Sequence, residues 1–128
     1  MAEKDWYSVD VITCAAPNLR VRPSNQMNPY AGNAPASIDS DELYSLHSHR
    51  IERIFKVAAA NDAEVLILGA FGCGAFCNPP EIVAKAFLEV QKRYSSCFET
   101  IEYAIFCGGN NTRNYDAFTN TICAVSQR

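Results

Sequence analysis

The sequence predicts an α/β fold in which helices pack on a largely buried sheet. Three observations carry this expectation. Short aliphatic runs, VDVITCAA (Val9–Ala16), EVLILGA (Glu64–Ala70) and IEYAIFC (Ile101–Cys107), have the length and β-branched content of strands. Stretches of helical periodicity separate them, and a cap signal precedes each such stretch. The order is therefore strand, long loop, helix, strand, helix, strand, helix, and 128 residues make one domain with no internal repeat.

Each element has its own local reason. VDVITCAA is short and β-branched, as a buried strand should be. Residues 17–37 carry Pro17, Pro23, Pro29 and Pro35 with several asparagines, which suits neither helix nor strand. Irregular connections beyond about 12–15 residues are uncommon in compact domains, so this one reads as a partly mobile flap over a site or as a disordered segment. Asp39 and Glu42 then have the spacing of a capping box. Leu43, His47, Ile51, Ile54, Phe55 and Ala58 recur behind it at helical intervals, predicting a helix to about Ala60. His47 falls on the apolar stripe, where a histidine is more often a hydrogen-bonded boundary residue than a catalytic one, and His49 falls off it.

EVLILGA is a continuous aliphatic run, expected as a central strand buried on both faces. A turn containing Gly69, Gly72 and Gly74 follows. Asn78 is the expected N-cap of the next helix, Pro79 its first residue, and Glu81 completes a second capping box. Val83, Ala86, Phe87, Val90 and Tyr94 form its apolar stripe. IEYAIFC is the third strand, and Asn114 is expected to cap a last helix carrying Phe118 and Ile122.

Composition excludes several classes of function. No apolar run approaches the roughly 18 residues that span a bilayer, so no membrane partner is expected. The net charge of −3 and pI near 5.3 argue against gripping a nucleic-acid duplex by its phosphates. The N-terminal MAEKDWYSVDVITC has no basic-then-apolar signal, which predicts a cytoplasmic chain with reduced thiols. Its six cysteines match neither CxxC nor a zinc spacing, and are expected to be mostly small buried hydrophobes with no metal and no cofactor bound.

The glycine turn is the candidate site. Ligands of α/β sheets bind where loops leave the C-terminal ends of strands, and the following helix presents free N–H groups. Gly69, Gly72 and Gly74 allow positive φ and close approach, and successive amides of such a turn can cradle an anion. Ala75 and Phe76 stand where a Walker A loop has Lys and Ser or Thr, and the turn reads GxxGxG, not the dinucleotide GxGxxG. A phosphate or diphosphate held by backbone amides, with Phe71 and Phe76 lining a ribose or base, is the occupant this leaves; glycines serving packing alone are the alternative.

LGAFGCGAFCNPPEIVAKAF resembles the diphosphate loop of the microbial type of poly(ADP-ribose) glycohydrolase, a branch of the macrodomain fold. The likeness extends to VDVITCAAPNL before the loop and to IEYAIF and NYDAF after it. It implies a three-layer α/β/α macrodomain-like fold with a mixed sheet, present as a partial domain that corresponds to the C-terminal half of the family domain. It implies that Ala70, Phe71, Gly72, Cys73, Gly74, Ala75, Phe76 and Cys77 lie at the diphosphate and distal ribose of ADP-ribose. Phe106 and Tyr115 would then lie toward the adenosine. Two departures stand out. Cys77 replaces a glycine usual in the family, and the family's glycine triplet with its Gln-Glu-Glu catalytic loop has no counterpart.

Hydrolysis of an O-glycosidic ribose bond needs a positioned carboxyl group. None lies in the loop, Glu81 is suited to capping, and Asp116 reads as a helix-start acid favoured by the dipole. No catalytic residue is therefore assigned, and the chain alone is expected to be inactive. Three functions remain open: a module that recognises ADP-ribose or poly(ADP-ribose), a split part of a glycohydrolase completed by a complementing N-terminal half, and a structural remnant without ligand. Bare strand edges predict a homo-oligomer or such a partner in each case.

Overall fold

The computed structural model describes residues 7–109 and 111–126; Met1–Trp6, which enter the reading of the N-terminus as lacking a signal, lie outside the described residues. In chain order the elements are α1 (Ser40–Ala60), β1 (Val65–Leu68), α2 (Pro80–Tyr94), a 3₁₀ turn (Ser95–Cys97), β2 (Thr100–Tyr103) and α3 (Arg113–Ser126). β1 and β2 run parallel, with Val65 opposite Thr100 and Leu68 opposite Tyr103. Among the described residues these two form the whole sheet, and no helix is long and apolar enough to cross a membrane.

α1 begins where the sequence places it. Asp39 is the N-cap, and its carboxylate accepts hydrogen bonds from the Asp41 and Glu42 amides at 2.9 Å each. Two donors that the helix leaves free are thereby satisfied. Leu43, His47, Ile51, Phe55 and Ala58 form its buried face. At its end Asp62 takes φ 55°, reversing the chain toward β1.

The core lies between the three helices and one face of the sheet. Ile51 and Phe55 of α1, Val83, Phe87 and Val90 of α2 and Phe118 of α3 meet Leu66 and Leu68 of β1. Aromatic edges lock the layers: Phe55 stands edge-on to Phe98 at 5.8 Å, and Phe87 edge-on to Tyr103 at 5.6 Å. The sheet's other face is bare. Val65 is 53% and Ile67 65% exposed, so β1 is buried on one face, not on the expected two. One helical layer on one sheet face is what a partial domain presents.

Several local expectations are corrected. Val9–Ala16 forms no strand; Val9 and Val11 are 77% and 80% exposed, and the segment pairs with neither open edge of the two-stranded sheet. Asn78 does not cap α2. Pro79 occupies the N-cap with no side-chain bond, and Pro80 is the first helical residue, which puts both rings where no N–H is missed. α3 starts two residues earlier than expected: Arg113 opens it, and the Thr112 hydroxyl donates to the Asp116 carboxylate at 2.7 Å, leaving Asn114 inside the first turn. None of the six cysteines is buried. Cys14 and Cys73 are half-buried, and Cys77, Cys97, Cys107 and Cys123 are exposed, since a one-sided core has little interior to hold them.

Candidate functional site

Parallel pairing brings the two chemistry-bearing loops to one end of the molecule. Leu68 lies opposite Tyr103 at the C-terminal ends of β1 and β2, so the glycine loop and the loop after β2 leave the sheet side by side. The Ala104 amide donates to the Leu68 carbonyl at 2.7 Å, and a Cβ placed on Gly69 would lie 3.9 Å from the Ala104 carbonyl. This is where an α/β sheet receives ligands.

Within the glycine loop the amides divide into two sets. Those of Cys73, Cys77 and Asn78 donate inward, to the carbonyls of Ala70, Gly74 and Gly72 at 3.0–3.1 Å. Those of Gly74, Ala75 and Phe76 meet no acceptor among the described residues. Gly74 and Ala75 are also exposed. Three successive free N–H groups at the mouth of a strand-to-helix turn are an anion-binding arrangement.

Only one of the loop's glycines is required by its backbone. Gly72 has φ 76°, and an added Cβ would come within 2.5 Å of the Ala16 Cβ and 2.6 Å of the Asn78 Nδ2. By contrast, Gly74 faces open space and has no positive φ, so a side chain there would project away from the protein. Cys77 adopts φ 59°, the left-handed region that glycine enters without strain. That conformation accounts for the advantage of glycine at this position.

Asn78 holds this geometry from beneath. Its side chain is buried, and its Nδ2 donates to the Pro17 carbonyl at 2.8 Å and the Gly72 carbonyl at 2.9 Å. Those two bonds orient the amide, so Oδ1 must accept, and His47 Nε2 lies 2.9 Å from it. The His47 Nε2 therefore carries the proton and donates, leaving Nδ1 bare and buried without a partner. Burial lowers the His47 pKa, opposed by the Asn78 bond and aided by the charge of Arg50. His47 is thus a neutral structural group, as its place on the apolar stripe predicts.

The two loop aromatics part company. Phe71 turns toward the core, half-buried, and meets His47 edge-on at 5.8 Å. Phe76 stays at the surface of the site with the Arg20 guanidinium 5.0 Å from its ring centroid. Arg20 also donates from Nε to the Ala75 carbonyl, and the Leu19 amide donates to the Phe76 carbonyl at 2.9 Å. The start of the proline-rich connection is therefore strapped onto the loop. Composition conceals this cation, which belongs to a stretch the sequence marks only as irregular.

Ala70 and Cys73 are half-buried and pack against the core. Burial pushes the Cys73 thiol up to about 12, opposed by Arg113, so it remains protonated and unreactive. Phe106 is 89% exposed in the loop after β2, and Tyr115 is 50% exposed in the first turn of α3. Both thus follow the C-terminal end of β2; Asn110, between them, lies outside the described residues. A separate cleft of about 940 Å³ runs between α2 and α3, where Lys85, Lys92 and Arg113 face Glu81, Glu89 and Asp116, a surface of balanced charge. Among the described residues no group of three His, Cys, Asp or Glu side chains is placed to hold a metal ion.

A glycine loop at the strand ends, on a helix-backed parallel sheet, has solved counterparts. The poly(ADP-ribose) glycohydrolase of Deinococcus radiodurans in complex with ADP-ribose matches with 28% identity and a TM-score of 0.62, covering 66% of this chain and 35% of that chain. The chain is related to bacterial poly(ADP-ribose) glycohydrolase. Two mutants of that enzyme in complex with ADP-ribose match to the same extent. The fold is accordingly macrodomain-like α/β, and the chain spans about a third of the length of the glycohydrolase it matches. No family model matches, and none of the curated proteins does.

Proposed function

We propose that this chain recognises ADP-ribose, or a nucleotide diphosphate of the same kind, through the glycine loop. The observation that carries the reading is the run of free amides at Gly74, Ala75 and Phe76, at the end of the sheet where such ligands bind. Likeness to glycohydrolase structures that hold ADP-ribose supports the choice of ligand. The diphosphate sits against these amides, the distal ribose against Phe76, and the adenosine toward Phe106 and Tyr115. Binding is the extent of the activity, because residues 69–78 of the loop contain no carboxylate to protonate a leaving oxygen.

The test is calorimetry with ADP-ribose on the chain and on Gly74→Val. Since Gly74 meets nothing within 4 Å, the variant keeps its fold, and its side chain occupies the space the ligand needs. Binding by the chain and its loss in the variant, with unchanged far-ultraviolet circular dichroism, is the expected result. Equal affinity in both would place the ligand elsewhere. A second reading, that this segment contributes the loop to a larger glycohydrolase completed by an N-terminal half, is favoured by the bare sheet face and the 35% coverage. Release of ADP-ribose from poly(ADP-ribose) is then expected only when such a half is added.

A further inference from the structure

We propose that Arg20, reached from the proline-rich connection, supplies the positive charge of the loop site and makes ligand affinity depend on the ligand's negative charge. The inference rests on the glycine loop being a diphosphate site, and it assigns that site a side chain in addition to its amides. Arg20 is held by contacts on both sides: its amide to Asn18 Oδ1 at 3.3 Å, its Nε to the Ala75 carbonyl, and its guanidinium plane to the Phe76 ring at 5.0 Å. The neighbouring Leu19 amide donates to the Phe76 carbonyl, which pins the chain at the point where the side chain leaves it.

What marks Arg20 is the capacity left over. A guanidinium offers five N–H donors, and only Nε finds an acceptor here. No carboxylate lies within ion-pair distance of it among the described residues, as is also true of Arg22, Arg50, Arg53 and Lys85; what sets Arg20 apart is its bond to the Ala75 carbonyl. The amides of Gly74, Ala75 and Phe76 are unfilled beside it. On a chain of net charge −3, a phosphate approaches against the field of the whole molecule. An unpaired, pre-oriented guanidinium next to free amides offsets that repulsion where it matters, and its planar fork suits phosphate oxygens. The same contacts set the loop, since the Phe76 ring has Arg20 on one side and only its other side is left for a ribose.

The experiment is calorimetry with ADP-ribose on the wild-type chain, Arg20→Gln and Arg20→Lys, at low salt and at about 1 M, where the screening length falls to about 3 Å. Loss of one charge-assisted contact is expected to weaken Arg20→Gln by roughly tenfold at low salt, with Arg20→Lys in between. High salt is expected to weaken the wild type more than Arg20→Gln, so that the two converge. If Arg20→Gln loses affinity but keeps the full salt dependence, Arg20 is a structural anchor only and the proposal fails. Equal affinity in the two chains overturns it as well. The salt dependence of the wild type needs no variant, and its absence would overturn the proposal even if Arg20→Gln did not fold. Failure of the wild type to bind ADP-ribose at any salt would instead sink the reading of the loop itself, and this inference with it.

Discussion

Asn78 shows how one side chain decides a site. Its type and position fit an N-cap, yet it is drawn under the loop, where it ties the Gly72 and Pro17 carbonyls to His47 of α1. A stability effect follows for His47. Its imidazole stays neutral in the fold because burial lowers its pKa, while the unfolded chain takes up the proton near the ordinary value of 6.5. The His47 contribution is therefore complete above that value and is lost as pH falls through the lowered folded-state pKa. One proton limits the slope to about 1.4 kcal/mol per pH unit. Denaturant titrations across this range should show a component of acid destabilisation that His47→Gln, which keeps an amide donor toward Asn78, removes. A second effect concerns Cys77 at φ 59°. Cys77→Gly should raise the unfolding free energy by about 1 kcal/mol, as relief of the left-handed strain outweighs the added freedom of the unfolded chain. Chemical denaturation with an unchanged m-value is the check.

All three helices were legible in the sequence but only two of the three expected strands form, and the difference is physical. A helix satisfies its backbone within one segment, so caps and periodicity suffice to reveal it. α1 illustrates this, running from the Asp39 cap to Ala60 as expected. Asp39→Ala should cost about 1 kcal/mol, within the usual range for a lost N-cap, since it frees the amides of Asp41 and Glu42; thermal unfolding with a matched loss of helical signal would measure it. A strand instead needs a partner that sequence composition does not display. β1 and β2 find each other, whereas Val9–Ala16 has equally good composition but joins neither open edge of that pair; its end is held by Arg50 on the Ala15 carbonyl and Asn78 on the Pro17 carbonyl. The α2 cap was missed for a related reason: a distant contact with Pro17 and His47 competes for Asn78, and consecutive prolines start the helix without it.

The molecule has its polar loops at one end and an uncovered sheet face along its side. Val65 and Ile67 stand on that face beside their register partners Thr100 and Glu102. Apolar side chains in such a row on a two-stranded sheet with open edges favour association. The chain is expected to show concentration-dependent self-association, which Ile67→Lys should reduce by placing a charge next to Glu102. Sedimentation velocity over a tenfold concentration series would read this. Unchanged sedimentation of both proteins at every concentration would mean the face is stable in water as it stands. Because Ile67 is 65% exposed, the substitution should leave thermal stability within about 0.5 kcal/mol of the parent.

Local information alone determined the α/β alternation, the three helices and the loop with three glycines, because caps, periodicity and glycine act within a few residues of chain. It also located the free amides in a general way, through the glycines that precede a helix. Tertiary structure decided which of those amides remain free, which phenylalanine packs toward the core and which stays at the surface, and where the neighbouring cation comes from. Arg20 lies 55 positions from the Ala75 carbonyl it meets, and Asn78 61 positions from Pro17. Such contacts arise only when the packed helices and the parallel pair hold distant segments against the same loop, and no pattern along the chain encodes that distance.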